Sequence, residues 1–399
     1  MNLKSGYPFW LVKDGLPFTF PKLDRDIDTD VVIIGAGISG ALVRYYLLEA
    51  GVRCVTVDAR TIGLGSTCAS TSLLQYEIDT PLHRLIDMVG KANAQRAYRL
   101  CGDAILELGR LSEKIGLKEF TFKNSLYFAS YKKDARWLRK EFEARKAAGF
   151  AVRWLEPDEV RVQFGFSCHG AILSDLGAQA NAYEMTHRLL QVKSRQQHEV
   201  FDRTPIARIR HHKKGVELKS ENGFTLKAEK LVYATGYEVV ELLDKDIVKL
   251  LSTYAVVSEQ YPARGFWTDD TLLWNTANPY LYLRATDDNR ILIGGRDEIF
   301  YNPKKRDALL NKKTQQLTND FNKLFPDVEF TPEFSWTGTF GATKDGLPYI
   351  GPYKKLPNGY FALGFGGNGI TFSVTAALIL RDLILGKDNA DASIFAFDR

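Results

Sequence analysis

The apolar and polar positions of the chain change period several times. Residues 30–35 (DVVIIG) form a short, continuous, β-branched apolar run with a turn at its end. Such a run suits a strand buried on both faces of a parallel sheet. Residues 38–50 (ISGALVRYYLLEA) follow at helical spacing, and Gly51 supplies a C-terminal stop. Residues 53–58 (RCVTVD) read as a second strand. A strand, a helix and a strand within about 30 residues make a βαβ unit with a right-handed crossover. Residues 81–115 read as helical, with Leu85, Val89, Leu100, Ile105, Leu108 and Leu111 among the apolar positions. Residues 134–148 are a charged amphipathic helix ending at Gly149. Strands are expected at 151–155, 216–219, 230–234, 281–283 and 290–293, and a last helix at 370–385. Polar, proline-containing connections near 157, 262, 303 and 326 are candidate crossings between domains. The pattern is α/β: a parallel-sheet core with a mixed, more antiparallel part inserted.

Composition narrows the class. A chain of 399 residues holds two or three domains at about 150 residues each. Hydrophobic residues at 45% and charged residues at 25% exclude disorder, collagen and coiled coil as whole-chain descriptions. The net charge of +5 is small and spread out, so no nucleic-acid partner is expected. The densest charged run, residues 208–214 (RIRHHKK), reads as a solvated hairpin. Cysteines 54, 68, 101 and 168 show no CxxC and read as reduced thiols. Histidines 83, 169, 187, 198, 211 and 212 form no metal spacing. The first residues lack a signal-length apolar stretch. Residues 372–385 are cut by Arg381-Asp382 and are shorter than the roughly 20 residues of a membrane span. The expectation is a soluble, cytoplasmic protein. Residues 1–29 carry Phe9, Trp10, Phe18 and Phe20. An arm this aromatic packs on the body or on a partner subunit.

Gly35-Ala36-Gly37-Ile38-Ser39-Gly40 is a G-x-G-x-x-G between strand and helix, with Asp58 at the end of the next strand. That context marks a dinucleotide site. Gly35 allows the tight turn, Gly37 lets backbone approach a pyrophosphate, and Gly40 lets helix pack on strand. The helix N-terminus offers free N–H groups and a partial positive charge to phosphates. Asp58 is placed to accept the adenosine ribose hydroxyls and disfavours a 2′-phosphate, although Arg60 nearby is of a type that can hold one. A second match, residues 364–369 (GFGGNG), opens the last helix but has no following acid-tipped strand. It reads as a glycine loop that approaches a ligand closely. Residues 63–72 (GLGSTCASTS) form a small, hydroxyl-rich loop, on which a flat ring system can lie and which offers donors to phosphates and ribityl oxygens. This loop favours FAD over NAD.

The order GAGISG, VDAR, GLGSTCAST, LVYATG (231–236), TKDGLPYIG (343–351) and GFGGNGI (364–370) resembles the D-amino-acid oxidase / glycine oxidase family of flavoproteins over residues 30–386. The resemblance implies an FAD-binding Rossmann-like parallel-sheet domain with a mixed-sheet α+β substrate domain inserted. On it, 30–80, 165–245 and 335–399 form the discontinuous FAD domain, and 81–164 and 246–334 the substrate domain. It also implies a hydride transfer from the carbon bearing nitrogen in an amine or amino acid, giving an imine that hydrolyses. It puts Ile38 and Ser39 at the pyrophosphate, Asp58 and Ala59 at the adenosine, and Ile206 at the adenine through its backbone. Ser66, Thr67, Thr71, Ser72 and Leu73 would line the flavin, with Gly236 closing the LVYATG turn. Gly364, Gly366, Gly367, Asn368, Gly369, Ile370 and Thr371 would cover the ring, the helix start stabilising negative charge on its reduced form. No cysteine follows Cys168, so FAD is expected to be non-covalent.

The likeness breaks at the substrate. The family clamps an α-carboxylate with arginines; the two matching positions here are Phe340 and Gly367. A charged hydrogen bond contributes about 1.5–3 kcal/mol, so losing two weakens amino-acid binding by orders of magnitude. Tyr280, Tyr282 and Arg284 fall on one face of a strand. Tyr282 matches the family's active-site tyrosine, and Arg284 is the candidate relocated carboxylate anchor, with an ion-pair role as its plain alternative. Residues 281–295 (LYLRATDDNRILIGG) also look like the gamma-glutamylputrescine oxidoreductase branch, whose substrates are amines. The alternatives are an FAD dehydrogenase of a C–O bond, in a hydroxy acid or polyol, and a flavin-binding protein without turnover. Oxygen or a quinone is the expected electron acceptor, and a homodimer is an admissible assembly.

Overall fold

The computed structural model describes residues 1–192, 199–238, 243, 247–262 and 265–399. His198 and the boundary drawn at 245 lie outside the described residues. Two sheets organise the rest. The eight-stranded sheet runs β17 (Tyr349–Pro352), β18 (Gly359–Leu363), β11 (Thr225–Tyr233), β2 (Ile27–Ile34), β3 (Cys54–Val57), β8 (Val200–Phe201), with β10 (Gly215–Ser220) and β9 (Ile206–His212) continuing off β11. β18, β11, β2, β3 and β8 are mutually parallel. Residues 208–214 form the tip region of the β9–β10 hairpin, as the charge run suggests. The sheet is buried on both faces. Val31 and Ile33 join a core with helices, while Val32 faces a second core with Val55, Val57, Leu218 and Phe361.

The ten-stranded sheet runs β1 (Lys4–Gly6), β16 (Pro332–Ala342), β12 (Lys249–Ser258), β15 (Ile291–Glu298), β14 (Tyr282–Ala285), β13 (Leu272–Asn275), β5 (Phe120–Phe128), β7 (Ala171–Ala180), β4 (Leu73–Gln75), with β6 (Val152–Leu155) on β7. All neighbours are antiparallel except β13 and β5. Ten helices complete the described chain: α1 (Phe9–Asp14), α2 (Ile38–Glu49), α3 (Leu82–Val89), α4 (Lys91–Ile115), α5 (Lys132–Ala147), α6 (Pro157–Phe164), α7 (Ala182–Gln191), α8 (Pro303–Ala308), α9 (Leu310–Leu324) and α10 (Gly369–Ile384). One face of this sheet packs on α9 and α6 through Leu317, Phe321, Val160 and Phe164. The opposite face presents Ala255, Val257, Leu292 and Trp336 to Phe9 and Trp10 of α1. The aromatic arm thus packs on the body.

Several expectations need correction. The helix read across 81–115 is two helices, broken at Gly90, whose φ of +82° no helix interior accepts. The first strand begins at Ile27 rather than Asp30, inside the segment drawn as the arm. Pro157 and Pro303 open helices instead of marking linkers, because proline's fixed φ suits the first helical position. The domain division also shifts. β7, within 165–245, and most of β16, within 335–399, pair in the ten-stranded sheet. Conversely α4, within 81–164, buries Ala97, Tyr98, Cys101 and Ile105 in one core with α2, α7 and α10. Its apolar positions recur at helical spacing and so present one face to that layer.

Candidate active site

The turn from β2 into α2 shows what each glycine is for. Gly35 has φ +102°, and a Cβ there would sit 2.3 Å from the Ala234 carbonyl oxygen. A Cβ on Gly40 would lie 1.8 Å from the Gly35 oxygen, so helix and turn touch through backbone alone. At Gly37 it would meet only Thr67 Oγ1, at 2.8 Å. The same Thr67 Oγ1 accepts the Ile38 N–H at 3.1 Å. The N-cap residue of α2 supplies no side-chain cap, and with the Ile38 N–H held by Thr67 the next N–H groups of the first turn, Ser39 and Gly40, face an anion. Asp58 accepts the Ala36 N–H at 2.7 Å and the Arg60 N–H at 2.8 Å. Burial pushes its carboxyl up, and those two N–H groups pull it down. Arg60 is committed to Glu238, at 2.6 and 2.8 Å, which favours an unphosphorylated ribose.

The hydroxyl-rich loop is held from behind. Trp336 Nε1 donates to the Ala69 carbonyl at 2.9 Å, and Trp10 Nε1 to the Ser70 carbonyl at 2.7 Å. Arg284 donates through one nitrogen to the carbonyls of Thr71 at 3.3 Å, Ser72 at 3.0 Å and Ala180 at 3.2 Å. Four consecutive carbonyls are therefore fixed by three elements, and Ser72 is held at φ +56°. The other side of the loop faces a long cavity.

That cavity runs from the β2–α2 turn to the ten-stranded sheet. Gly35, Gly37, Ile38, Ser39, Asp58, Ala59, Arg60, Ser66, Thr67, Thr71, Ser72, Leu73 and Gly236 line it. So do Gly364, Gly366, Gly367, Asn368, Gly369, Ile370 and Thr371, with Tyr282 and Phe340 from the sheet. Gly40 lies behind the wall, in its packing role. Ile206 is not on the wall: it opens β9 in register with Ser220 and packs into the second core. Residues 58–60 and 235–238 form that end of the cavity instead. Arg284 is the larger correction. It is 2% exposed, absent from the wall, and stacked over Trp10 at 5.2 Å. Burial lowers its pKa to about 10. A guanidinium spent on three carbonyls is not a carboxylate anchor but a positioning residue for the loop.

The far end of the cavity was not foreseen. Asn368 donates to the carbonyls of Gln75 at 3.1 Å and Glu77 at 2.8 Å, tying the last glycine loop to the segment after β4. Asp79 on that segment accepts the Gly367 N–H at 2.9 Å and the Tyr280 hydroxyl at 3.3 Å. A Cβ on Gly367 would lie 2.6 Å from Asp79 Oδ1 and 2.9 Å from the Tyr280 hydroxyl. The room an arginine would need at 367 is filled. Asp297, from β15, lines the cavity with Thr253, Tyr237 and Tyr280. Burial pushes Asp297 up to about 6, and the Thr253 hydrogen bond opposes the shift. Tyr282 lies across Gly294, where a Cβ would come within 2.3 Å of the ring and hydroxyl. One signal was available: the alternation of β15 runs on through Gly295 to Asp297. Nothing in the sequence near Asp79 announces it.

The residues fit an adenine dinucleotide bearing a flat ring. Ser66 Oγ, Ser72 Oγ and Thr235 Oγ1 are buried beside the cavity without partners, a state buried polar atoms rarely keep. The glycine turns leave backbone open to it, and the N-termini of α2 and α10 carry no side-chain caps.

Comparisons with known proteins give the family and the fold. The family model described as "FAD dependent oxidoreductase" matches residues 30–383. A glycine oxidase of Geobacillus kaustophilus is 26% identical over 93% of this chain and 97% of its own length. The crystal structure of glycine oxidase from that organism superposes with a TM-score of 0.77 at 21% identity, covering 93% of this chain and 99% of the other. The structure of L-proline dehydrogenase from P. horikoshii gives 0.78 at 18% identity, covering 94% and 97%.

Proposed function

The chain belongs to the FAD dependent oxidoreductase family, and on that premise we propose that it oxidises the carbon–nitrogen bond of an amine or amino acid. Bound FAD supplies the hydride acceptor. The substrate loses a hydride from carbon and a proton from nitrogen, and water hydrolyses the resulting imine to a carbonyl compound and the freed nitrogen group.

The protein's part is to bind, orient and set the field. The turn at Gly35–Gly37 and the start of α2 would hold the pyrophosphate, and Asp58 the ribose. Ser66, Thr67 and Thr71 to Leu73 would meet the ring system on the side that Trp10, Trp336 and Arg284 brace. The N-terminus of α10 would favour negative charge on the ring. No redox-active side chain is required of the wall.

The observation that carries the choice of bond is the acceptor-rich far end. Asp297 stands there with tyrosine hydroxyls, and Asp79 lies just behind Gly367 and Tyr280; an amine brings several N–H donors to match them. Mixing the protein anaerobically with amines, amino acids, hydroxy acids and polyols tests this. Bleaching of the flavin absorbance with release of ammonia or an amine is expected. Bleaching by hydroxy acids or polyols alone would replace the reading with C–O oxidation.

A further inference from the structure

Among the described residues, the wall at the substrate end of the cavity carries one carboxylate, Asp297, with a second, Asp79, behind Gly367 and Tyr280, and no cationic side chain. Among the described residues that line the cavity, the cationic side chain is Arg60, at the opposite end and paired with Glu238. Lys313 of α9 is the cation nearest Asp297 in the electrostatic balance, and it is held by Glu298 Oε1 at 2.6 Å and the Arg296 carbonyl at 2.7 Å. Asp297 Oδ1 is fully buried and accepts no hydrogen bond. The other groups around it are neutral hydroxyls, Thr253, Tyr254, Tyr280 and Tyr282, and the second carboxylate, Asp79. An anion so placed is costly unless paired. A carboxylate ligand arriving here would meet Asp297 on the wall and Asp79 just behind it, and no cationic side chain among the described wall residues at this end.

We infer that this site selects a cationic amine carrying no carboxylate beside its nitrogen, with Asp79 and Asp297 supplying the counter-charge, and that it discriminates against amino-acid zwitterions. The inference rests on the C–N reading above and narrows its substrate class. The arrangement explains the two missing arginines together. Phe340 offers an apolar surface to a hydrocarbon chain, and Asp79 with Tyr280 occupies the space at Gly367.

The test uses the FAD-loaded protein. Dissociation constants for n-butylammonium, n-butyrate and glycine are read from perturbation of the flavin spectrum. Anaerobic reduction by n-butylamine and 1,4-diaminobutane is compared with glycine, N-methylglycine, D-alanine and L-proline. The cations should bind at least about tenfold more tightly than butyrate or glycine, as one charged hydrogen bond implies. Asp297→Asn and Asp79→Asn should each weaken n-butylammonium by about tenfold or more and leave butyrate unchanged or tighter. Equal or tighter binding of butyrate or glycine would overturn the inference. So would variants that weaken both charge types alike while retaining FAD and melting temperature, because that marks a shape effect. Reduction by amino acids alone would sink this inference and leave C–N oxidation standing. Reduction by neither class, with the cation preference intact, would keep the site and remove the reaction.

Discussion

At the turn after β2, Asp58 accepts two backbone N–H groups and stands beside an arginine already paired with Glu238. At the other end of the same cavity, Asp79 holds one N–H and one hydroxyl, and Asp297 keeps an oxygen with no partner. Both ends carry carboxylates, partly buried at Asp58 and Asp297 and exposed at Asp79. One end has finished its electrostatics within the fold, and the other has left them open. A satisfied buried anion is scaffold. An unsatisfied one destabilises the empty protein and is retained where a ligand completes it.

The comparison breaks first at the glycines. Gly40→Ala puts a methyl group against the Gly35 carbonyl, backbone on backbone, and should yield protein without flavin colour. Gly367→Ala meets the tips of Asp79 and Tyr280, which can shift. That variant should stay yellow and change only amine binding. Absorbance of the two purified proteins decides it.

Arg284→Met comes next. It strips the donor from three buried carbonyls, at about 1–3 kcal/mol for a group left unsatisfied. A lowered melting temperature and weaker FAD retention are expected. An unchanged melting temperature with a raised KM for acidic substrates would restore the anchor role. Asp58→Asn and Asp297→Asn should then move stability in opposite directions. The first turns an amide NH2 against one of the two N–H groups that Asp58 accepts, leaving it unsatisfied, and should lower stability by about 1–3 kcal/mol. The second removes an unpaired anion and should raise it by about 1 kcal/mol. Chemical denaturation at pH 8 measures both.

Acidity sharpens the same point. Asp297 is held near 6, above the free carboxyl value of about 3.9. The folded state therefore binds a proton the unfolded chain has released. Stability from this group is complete below about pH 4 and is lost as pH rises through about 6. Affinity for n-butylammonium should run the other way, rising through about pH 6 to a plateau, and the step should vanish in Asp297→Asn. The smallest effect belongs to Arg60→Gln. Its pair with Glu238 is partly solvent-exposed and contributes about 0.2–1 kcal/mol, so FAD affinity should change by a few-fold at most.

The finished end was readable because it is local. Gly35, Gly37, Gly40 and Asp58 lie within one βαβ unit, and each acts through spacing that the sequence displays. The hydroxyl loop and the last glycine loop were readable for the same reason. The open end is assembled from the segment after β4, from β14, β15 and β16, and from the start of α10. Asp79 sits among ordinary turn residues, and only tertiary pairing brings it to Gly367. Arg284 shows the reverse error. Alternation put it on the face of Tyr282, but the strand carries it beyond the cavity wall, where Trp10 and the loop carbonyls capture it.

The brace behind the 69–72 loop depends on long-range pairing. Its donors come from α1, β14 and β16, and Lys4–Gly6 must find Gly338, Thr337 and Trp336 to close the sheet edge. The brace therefore joins segments that lie far apart in the sequence. The βαβ unit is local and can form without them, but the wall of the coenzyme site behind the loop is complete only when these distant segments have met.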